Sequence, residues 1–220
     1  MNFRFKLAAR NSSRPIEITN VYVVDSDPAV RQKLETLINA AGWQPRMAGS
    51  AEEFLARPTV VGPGCLLVDL DLPDMSGLEL QKLLADRPEL PVIFMSTRAD
   101  VHAAVLAIKA GAIEFLTKPV ARDVYLSTIR AAIEQSRAAL RQLVQSEALH
   151  HRYESLSRRE REVMNLVVIG RLNKQVGGEL GISEITVKAH RGKLMRKMQA
   201  ASFAELVNMA ASLHGETRVA

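Results

Sequence analysis

Polar residues that could handle a phosphoryl group follow four apolar runs in the first half of the sequence. They are Asp25, Asp69, Ser96 and Lys118. Carboxylates bind hard divalent cations such as Mg²⁺, and a carboxylate can also take a phosphoryl group to form an aspartyl phosphate. An ammonium group and a hydroxyl would then hold the phosphoryl oxygens, since phosphoryl transfer is mostly positioning and charge neutralisation. The residue types therefore predict phosphoryl chemistry assisted by Mg²⁺.

The segments that must position these residues alternate between strand and helix patterns. Short, mainly apolar runs predict strands at Val21–Val24, Cys65–Val68, Pro91–Met95 and Ile113–Leu116, and a weaker pattern predicts another strand near Trp43–Ala48. The segments between them carry apolar residues at helical spacing and begin at capping residues, such as Asp27 before Pro28. The pattern predicts an α/β domain with a (βα)5 doubly wound parallel sheet. The carboxyl ends of parallel strands meet at one edge, so the four polar residues should converge there.

The pattern changes after Asp123. Apolar residues keep three- and four-residue spacing, and neither Gly nor Pro occurs from there until Gly170. We therefore expect the last helix of the α/β domain to continue as a long linker helix to about Arg152. Its polar face fits either a solvated linker or a helix that pairs with a partner. A coiled coil is a weaker alternative, because Ser136 and several alanines interrupt the apolar seam.

The rest of the chain predicts an all-α, four-helix domain. Its expected helices are Ser157–Ile169, Asn173–Leu180, Glu184–Met198 and Ser202–Ser212. Gly181 supplies a tight turn between the second and third, and Ser183 caps the third. This is the layout of a helix-turn-helix, whose second helix enters the major groove of DNA.

Helical geometry divides the residues of that recognition helix between two faces. At about 100° per residue, Val187, Leu194 and Met198 share one side and should face the core. The opposite side should face DNA; it contains Ala189, Gly192 and Arg196, with Lys188 and Lys193 beside them. Lys188 can donate to guanine O6 and N7, Ala189 can contact a thymine methyl, and Gly192 permits close approach. We expect phosphate contacts from Lys174, Arg191, Lys193, Arg196 and Lys197.

Length, charge and cysteine content fit two domains with different partners. The chain has 220 residues, enough for two domains of about 100 residues each. Residues 21–140 have a net charge of −3 and residues 141–220 a net charge of +5, so the second half suits a polyanion. A single cysteine, Cys65, excludes an intrachain disulfide and fits a cytoplasmic protein. We expect no membrane span and no signal peptide. The predicted boundaries are 1–19 for a basic extension, 20–136 for the α/β domain, 137–154 for the linker helix and 155–220 for the helical domain.

The first half resembles the receiver domain of two-component response regulators. The resemblance rests on Val23-Val24-Asp25, the segment from Val68 to Gly77, Met95-Ser96 and Lys118-Pro119. It implies that Asp69 is the phosphoryl acceptor, Ser96 the switch hydroxyl, Lys118 the partner cation and Phe115 the aromatic rotamer switch. It also implies an Mg²⁺ pocket formed by Asp25, Asp69 and the backbone carbonyl of Asp71.

One residue departs from that family's pattern. The family usually has a second acidic residue directly after the first, as a direct metal ligand, and this chain has Ser26 there. A hydroxyl is a weaker ligand than a carboxylate, so Mg²⁺ binding should be weakened. An alternative function follows: a DNA-binding regulator whose receiver is not phosphorylated and acts as a dimerisation or partner-binding module.

The second half resembles the LuxR-type DNA-binding domain of regulators of the NarL/FixJ kind. Ser157–Val163 matches its opening helix and Thr186–Arg191 its recognition helix. The resemblance implies a transcription regulator that binds double-stranded DNA, with Thr186 among the contacts, and that receives its phosphoryl group from a sensor histidine kinase. A homodimer in the active state and contact with RNA polymerase are further expected partners. We do not expect an enzyme, beyond assistance to phosphoryl transfer to Asp69 and its hydrolysis. A phosphoryl-transfer enzyme of the haloacid-dehalogenase kind would also use a strand-end aspartate, but the attached helix-turn-helix and a short chain with no cap domain count against it.

Overall fold

Five parallel strands form one sheet in the first half of the chain. The computed structural model describes residues 18–57, 62–98 and 101–216, so most of the predicted extension, residues 1–17, lies outside the described residues. The strands are β1 (Asn20–Val24), β2 (Gln44–Ala48), β3 (Gly64–Asp69), β4 (Val92–Ser96) and β5 (Glu114–Thr117). Their hydrogen-bonded order is β2-β1-β3-β4-β5, and every pairing is parallel. The predicted α/β fold is confirmed.

Helices cover both faces of this sheet. They are α1 (Pro28–Ala40), α2 (Ala51–Leu55), α3 (Gly77–Leu83), α4 (Val101–Lys109) and α5 (Arg122–Glu154). Alternate strand residues point to opposite faces, so the apolar runs supply two cores. Leu67 packs in one core with residues of α1 and α5. Leu66, next to it in β3, packs in the other core with residues of α2, α3 and α4.

Local capping explains where several helices begin. The side chain of Asp27 accepts a hydrogen bond from the backbone N–H of Ala29 at 2.8 Å, and Pro28 occupies the first turn of α1. Ser76 and Glu79 form a capping box at the start of α3. Such side chains pair the N–H groups that a helix start leaves without intrahelical partners. They fix the loops that follow the strands.

Helix α5 extends to Glu154, close to the expected end of the linker helix. The residue that interrupts its apolar seam, Ser136, is fully buried. Its hydroxyl accepts a hydrogen bond from the N–H of Gly64 at 3.0 Å and donates one to the carbonyl of Glu89 at 2.6 Å. Ser136 is therefore fully paired inside the α/β unit. The chain divides into two compact units between Leu140 and Arg141, inside this helix.

The second unit contains four further helices. They are α6 (Arg158–Val168), α7 (Asn173–Leu180), α8 (Glu184–Met198) and α9 (Phe203–Glu216). The bounds of α7 and α8 match the prediction, whereas α9 runs four residues past the expected end. Buried residues of all four helices form one core, against which Leu149 and Tyr153 of α5 pack. None of the helices within the described ranges is long and apolar enough to cross a membrane.

Two glycines shape the turn between α7 and α8. Gly181 ends α7 in the left-handed conformation, with φ of 64°, which suits a residue without a side chain. Gly177 lies against the turn, where an added Cβ would stand 2.7 Å from the carbonyl oxygen of Ile182. The neighbouring Gly178 has open space around it. Of the two adjacent glycines, only Gly177 therefore has a close neighbour, which is the backbone of the turn.

Candidate functional site

The carboxyl edge of the sheet brings the four predicted polar residues together. Asp69 and Ser96 are the last residues of β3 and β4, and Asp25 and Lys118 directly follow β1 and β5. The backbone N–H of Lys118 donates to the carbonyl of Ser96 at 2.7 Å, which fixes the end of β5 beside the end of β4. Parallel register therefore assembles the site from four separate strands.

A lysine joins the two carboxylates at this edge. Lys118 Nζ lies 2.5 Å from Asp25 Oδ2 and 3.1 Å from Asp69 Oδ2. The side chain of Asp25 is fully buried, whereas those of Asp69 and Lys118 are 13% and 11% exposed. Asp25 Oδ1 accepts a further bond from the N–H of Asp27 at 2.9 Å. Asp25 is thus enclosed and paired, and Asp69 is the carboxylate with access to solvent.

For both Asp69 and Lys118, burial and the neighbouring opposite charge shift the pKa in opposite directions. Burial raises the pKa of Asp69, the hydrogen bond and charge of Lys118 lower it, and the negative charge of Asp25 raises it; the net direction is upward. Burial lowers the pKa of Lys118, but its bonds to Asp25 and Asp69 raise it by more. Lys118 therefore stays charged at neutral pH and can hold negatively charged oxygens.

Gly77 allows the loop that follows Asp69 to pass close to the backbone of Asp69. A Cβ added to Gly77 would lie 2.6 Å from the carbonyl oxygen of Asp69 and 2.9 Å from the ring of Phe94. The N–H of Gly77 donates to the carbonyl of Leu70 at 2.9 Å. A side chain at this position would displace the backbone of the candidate phosphoryl acceptor.

The two predicted switch residues flank the site. Ser96 is fully buried, and its hydroxyl accepts a hydrogen bond from the N–H of Arg98 at 3.1 Å. Phe115 lies on β5, three residues before Lys118, and its half-buried ring stacks on that of Phe94 with centroids 6.3 Å apart. The described contacts of the Ser96 hydroxyl and the Phe115 ring are thus a bond to a backbone N–H two residues later and a stack on Phe94.

The oxygen donors around Asp69 fit a cation that keeps most of its waters. Asp69 offers a partly exposed carboxylate, and an isolated bridge between Asp71 and Ser76 fixes the backbone beside it. Asp25 already uses both carboxylate oxygens in hydrogen bonds, and Ser26 is exposed to solvent. Within the described ranges no group of three or more His, Cys, Asp or Glu residues is placed to hold a metal ion. Mg²⁺ suits this sparse oxygen set, because it often binds through one or two carboxylates and several waters.

Sequence reasoning missed two arginines beside the site. Arg98 Nη2 pairs with Asp71 Oδ2 at 2.7 Å, across the loops that follow β4 and β3. Arg31 of α1 donates to the backbone carbonyl of Asp25 at 2.6 Å. The sequence did contain one signal for Arg98, because it lies two residues after Ser96 and therefore close to the predicted site. Its partner depends on the packing of two loops, which no local pattern reveals.

The second candidate site is the exposed face of α8. Val187, Leu194 and Met198 are fully buried, as helical geometry requires. The residues expected to face DNA are exposed: Lys188, Ala189, Gly192, Lys193 and Arg196. Lys174 on α7 is exposed as well, and Thr186 is half-buried with its hydroxyl 2.8 Å from that of Ser183. Lys188 forms an exposed ion pair with Glu184 at 3.2 Å, one helical turn earlier.

Two basic residues of α8 have partners on neighbouring helices. Lys197 Nζ lies 2.7 Å from Glu160 Oε2, and the side chain of Glu160 is only 4% exposed. Arg191 donates to Asn173 at 2.7 Å and lies over the ring of Phe203 at 5.2 Å. Both contacts hold α8 against neighbouring helices. The structure thus gives Lys197 a partner other than the expected phosphate, because α8 ends beside the start of α6.

Two parts of the sequence match known protein families. Residues 21–130 match the family described as "Response regulator receiver domain". Residues 154–210 match the family described as "Bacterial regulatory proteins, luxR family". The first match covers the sheet and its site, and the second covers α6, α7, α8 and part of α9.

Several relatives resemble the chain over most of its length. The response regulator protein TmoT of Ectopseudomonas mendocina is 42% identical over 190 residues, which is 86% of each chain. The transcriptional regulatory protein FixJ of Rhizobium meliloti (strain 1021) is 40% identical, over 86% of this chain and 94% of its own.

Solved structures agree with these relatives. The response regulator StyR is 37% identical with a TM-score of 0.76, over 88% of this chain and 98% of its own. Full-length FixJ from B. japonicum is 36% identical with a TM-score of 0.53, over 88% and 96% respectively. The chain therefore belongs to the two-component response regulators of the NarL/FixJ kind, in which a receiver domain and a LuxR-type DNA-binding domain act in transcription regulation.

Proposed function

We propose that transfer of a phosphoryl group from a sensor histidine kinase to Asp69 controls DNA binding by this regulator. The observation that carries the proposal is the cluster of Asp69, Asp25 and Lys118. Lys118 Nζ lies 2.5 Å from Asp25 Oδ2 and 3.1 Å from Asp69 Oδ2, and Asp69 is the carboxylate open to solvent. An Asp69 oxygen attacks phosphorus, the P–N bond to the kinase histidine breaks, and an acyl phosphate forms. The bond electrons and a proton remain with the imidazole.

The neighbouring groups have distinct roles in this proposal. Lys118 holds a phosphoryl oxygen, since its ammonium group already lies 3.1 Å from Asp69 Oδ2. The Ser96 hydroxyl leaves its bond to Arg98 and donates to a second oxygen. Phe115, whose ring stacks on that of Phe94, then changes rotamer. These movements change the surface of the receiver domain and connect phosphorylation to association of two copies.

A metal ion completes the site in this account. Mg²⁺ would be held by the carboxylate of Asp69 and the backbone carbonyl of Asp71, with Asp25 and Ser26 contributing weakly or through water. When bound, it neutralises charge on the phosphoryl oxygens. Ser26 adds no charge, so we expect the site to need more Mg²⁺ than one with a carboxylate at this position.

The DNA-binding domain places α8 in the major groove. We assign base contacts to Lys188 and Ala189 and close backbone approach to Gly192, which are exposed on one side of α8. Contacts to phosphates fall to Lys174, Thr186, Lys193, Arg196 and those N–H groups of Arg191 that Asn173 does not use. A regulator that binds chromosomal DNA works in the cytoplasm. RNA polymerase is a further proposed partner there.

A homodimer is the proposed active state. Helix α4 exposes Val101, Val105, Leu106 and Ile108, which form an apolar surface on the same domain as Asp69. Two linked DNA-binding domains gain affinity, because binding of the second becomes intramolecular. The proposed receiver domain spans residues 20–136, the linker helix 137–154 and the DNA-binding domain 155–220.

Transfer to Asp69 can be tested directly. Full-length protein is incubated with acetyl phosphate and Mg²⁺ and run on a Phos-tag gel. The wild type and an Asp86→Ala control, which removes an exposed aspartate elsewhere, should shift. Asp69→Ala should not. A shift that Asp69→Ala retains would place the phosphoryl group elsewhere.

A second candidate function is favoured by Ser26. A receiver without the second acidic ligand could act as a dimerisation or partner-binding module that needs no phosphoryl group. It predicts that neither acetyl phosphate nor phosphorylated kinase shifts the wild type, even at high Mg²⁺ concentration. It also predicts that Asp69→Ala leaves DNA binding unchanged.

The groove face can be tested with Lys188→Ala and Lys193→Ala in the full-length protein. Lys188→Ala should lose affinity for a selected duplex more than for random DNA. Lys193→Ala should weaken both equally and reduce the salt dependence of binding by about one unit of slope. Equal losses on both duplexes for Lys188→Ala would contradict base recognition by Lys188.

A further inference from the structure

An exposed isoleucine begins the groove face of α8. Ile185 is the second residue of this helix, and it is 79% exposed. Single exposed apolar residues are common on protein surfaces and need no explanation by themselves. The position of Ile185 sets it apart, because the N-terminal residues of a recognition helix are the ones that contact base edges.

Helical geometry aligns Ile185 with the residues assigned to DNA. At about 100° per residue, Ile185, Ala189, Gly192 and Arg196 all fall within about 40° of the line opposite buried Val187. Their spacing of four, three and four residues makes them one continuous row. Each of them is exposed. Ile185 therefore extends the central row of the groove face toward the start of the helix.

The first three members of this row share a chemical property. The side chains of Ile185 and Ala189 have neither a hydrogen-bond donor nor an acceptor, and Gly192 has no side chain. They cannot recognise the donor and acceptor pattern of a base pair. The apolar group that a base offers in the major groove is the thymine 5-methyl. The hydrogen-bonding and charged groups, such as Lys188 and Lys193, lie beside the row.

We propose that Ile185 is a specificity-determining residue that packs against a thymine 5-methyl group in the major groove. The inference rests on the proposed placement of α8 in that groove. Lysines on both sides bring the backbone phosphates close, so the exposed isoleucine loses its water when the complex forms. It selects thymine over cytosine at that position, because cytosine lacks the methyl group.

The test measures one methyl group at a time. Full-length protein, treated with acetyl phosphate and Mg²⁺, is used to select a duplex from a random pool. Each thymine in the selected duplex is then replaced by deoxyuridine, which removes only the 5-methyl. Affinities are measured for the wild type, Ile185→Ala and Ile169→Ala. Ile169 is a matched control, because it is 68% exposed in the same unit but lies at the end of α6.

The proposal predicts one thymine position at which the effect of removing the methyl group on affinity depends on whether residue 185 is isoleucine. Deoxyuridine there should weaken wild-type binding about fourfold, the effect expected for one buried methyl group. Ile185→Ala should bind the unmodified duplex about tenfold more weakly and lose its sensitivity to deoxyuridine at that position alone. Ile169→Ala should behave as the wild type. Ile185 is exposed and Ala is the better helix former, so the variant should fold normally.

Two results would overturn the inference and would also separate it from the underlying proposal. If Ile185→Ala keeps wild-type affinity and the wild-type deoxyuridine pattern while Lys188→Ala loses specificity, Ile185 contacts no methyl group although α8 still lies in the groove. If neither Ile185→Ala nor Lys188→Ala changes the affinity for the selected duplex, the placement of α8 itself is wrong.

Discussion

At the scale of single residues, the surroundings of Asp69 disfavour its ionised form. Burial and the charge of Asp25 raise the pKa of Asp69, against the effect of Lys118. A carboxyl group whose pKa is higher in the folded state than in the unfolded state stabilises the fold when protonated. That contribution is lost as pH rises. At neutral pH the ionised Asp69 therefore destabilises the receiver domain.

Asp69→Asn should for this reason stabilise the receiver domain at pH 7. The expected gain is about 0.5–2 kcal/mol, typical of substitutions that relieve strain at a functional site. The gain should shrink as pH falls through the raised pKa of Asp69, where the folded-state carboxyl becomes neutral, and should be lost below the ordinary aspartate value of 3.8. Trp43, the only tryptophan of the chain, packs against the receiver core and reports urea unfolding of this domain. A loss of stability at pH 7 would contradict the prediction.

Ser26 makes a second prediction at this scale. Ser26→Asp adds a carboxylate at an exposed position next to Asp25. The Mg²⁺ concentration that gives half-maximal phosphorylation by acetyl phosphate should fall several-fold, because a carboxylate replaces a neutral ligand. Ser127→Asp is a control, since Ser127 is an exposed serine on α5. An unchanged Mg²⁺ requirement in Ser26→Asp would mean that this position does not contribute to the metal site.

At the scale of elements, the helix-turn-helix depends on one of two adjacent glycines. Gly177→Ala would bring a Cβ to within 2.7 Å of the carbonyl oxygen of Ile182, a backbone atom that cannot move away cheaply. We expect a loss of about 1–3 kcal/mol in the stability of the DNA-binding domain. Gly178→Ala meets open space and should stabilise α7 by about 0.5–1 kcal/mol. Urea unfolding followed by far-UV circular dichroism, compared with the Trp43 signal, measures the stability change of each variant. Equal stability changes in Gly177→Ala and Gly178→Ala would contradict the close contact at Gly177.

The ion pair between α6 and α8 predicts a pH-dependent effect. Burial raises the pKa of Glu160, but its bonds to Lys197 and Ser157 lower it by more, so the net direction is downward. A lowered carboxyl pKa stabilises the fold above the ordinary value of 4.5, and this contribution is lost as pH falls. Lys197→Met should thus cost about 1–3 kcal/mol at pH 7 and less below pH 4.5.

The matched control for this ion pair is Lys193→Met. Lys193 is exposed on the same helix, so its removal should leave stability within about 0.5 kcal/mol of the wild type. Far-UV circular dichroism during urea unfolding at several pH values distinguishes the two variants. A cost for Lys197→Met that does not change with pH would show that the lysine acts through packing alone.

The sequence patterns predicted the elements well because their signals are local. Mainly apolar runs located four of the five strands and a weaker pattern located β2, while Gly181 with Ser183 located both helices of the helix-turn-helix. The partners of Ser136 and Lys197 could not be predicted in the same way. Each partner is distant in sequence, and periodicity identifies only the face of a helix on which a residue lies. For Ser136, the residue that weakened the coiled-coil pattern is instead a buried polar contact of the receiver domain.

At the scale of the whole molecule, charge separates the two activities. The receiver domain is mildly acidic, and five of the 13 basic residues in the segment 141–220 lie on α8: Lys188, Arg191, Lys193, Arg196 and Lys197. This separation places the candidate phosphoryl site and the candidate DNA-binding face on parts of the chain with opposite net charge. The predicted strand-edge cluster appeared as expected, whereas the ion pair between Arg98 and Asp71 needed tertiary packing to be seen.

The most direct test of the account is the affinity of full-length protein for a selected duplex before and after phosphorylation. Fluorescence anisotropy with a labelled duplex measures it, with acetyl phosphate and Mg²⁺ added or omitted. The account predicts that phosphorylation tightens binding by the wild type at least about tenfold, as expected when two linked domains bind together. Asp69→Asn should not respond. Equal tightening in Asp69→Asn, or no change in a wild type that Phos-tag gels show to be phosphorylated, would contradict control through Asp69.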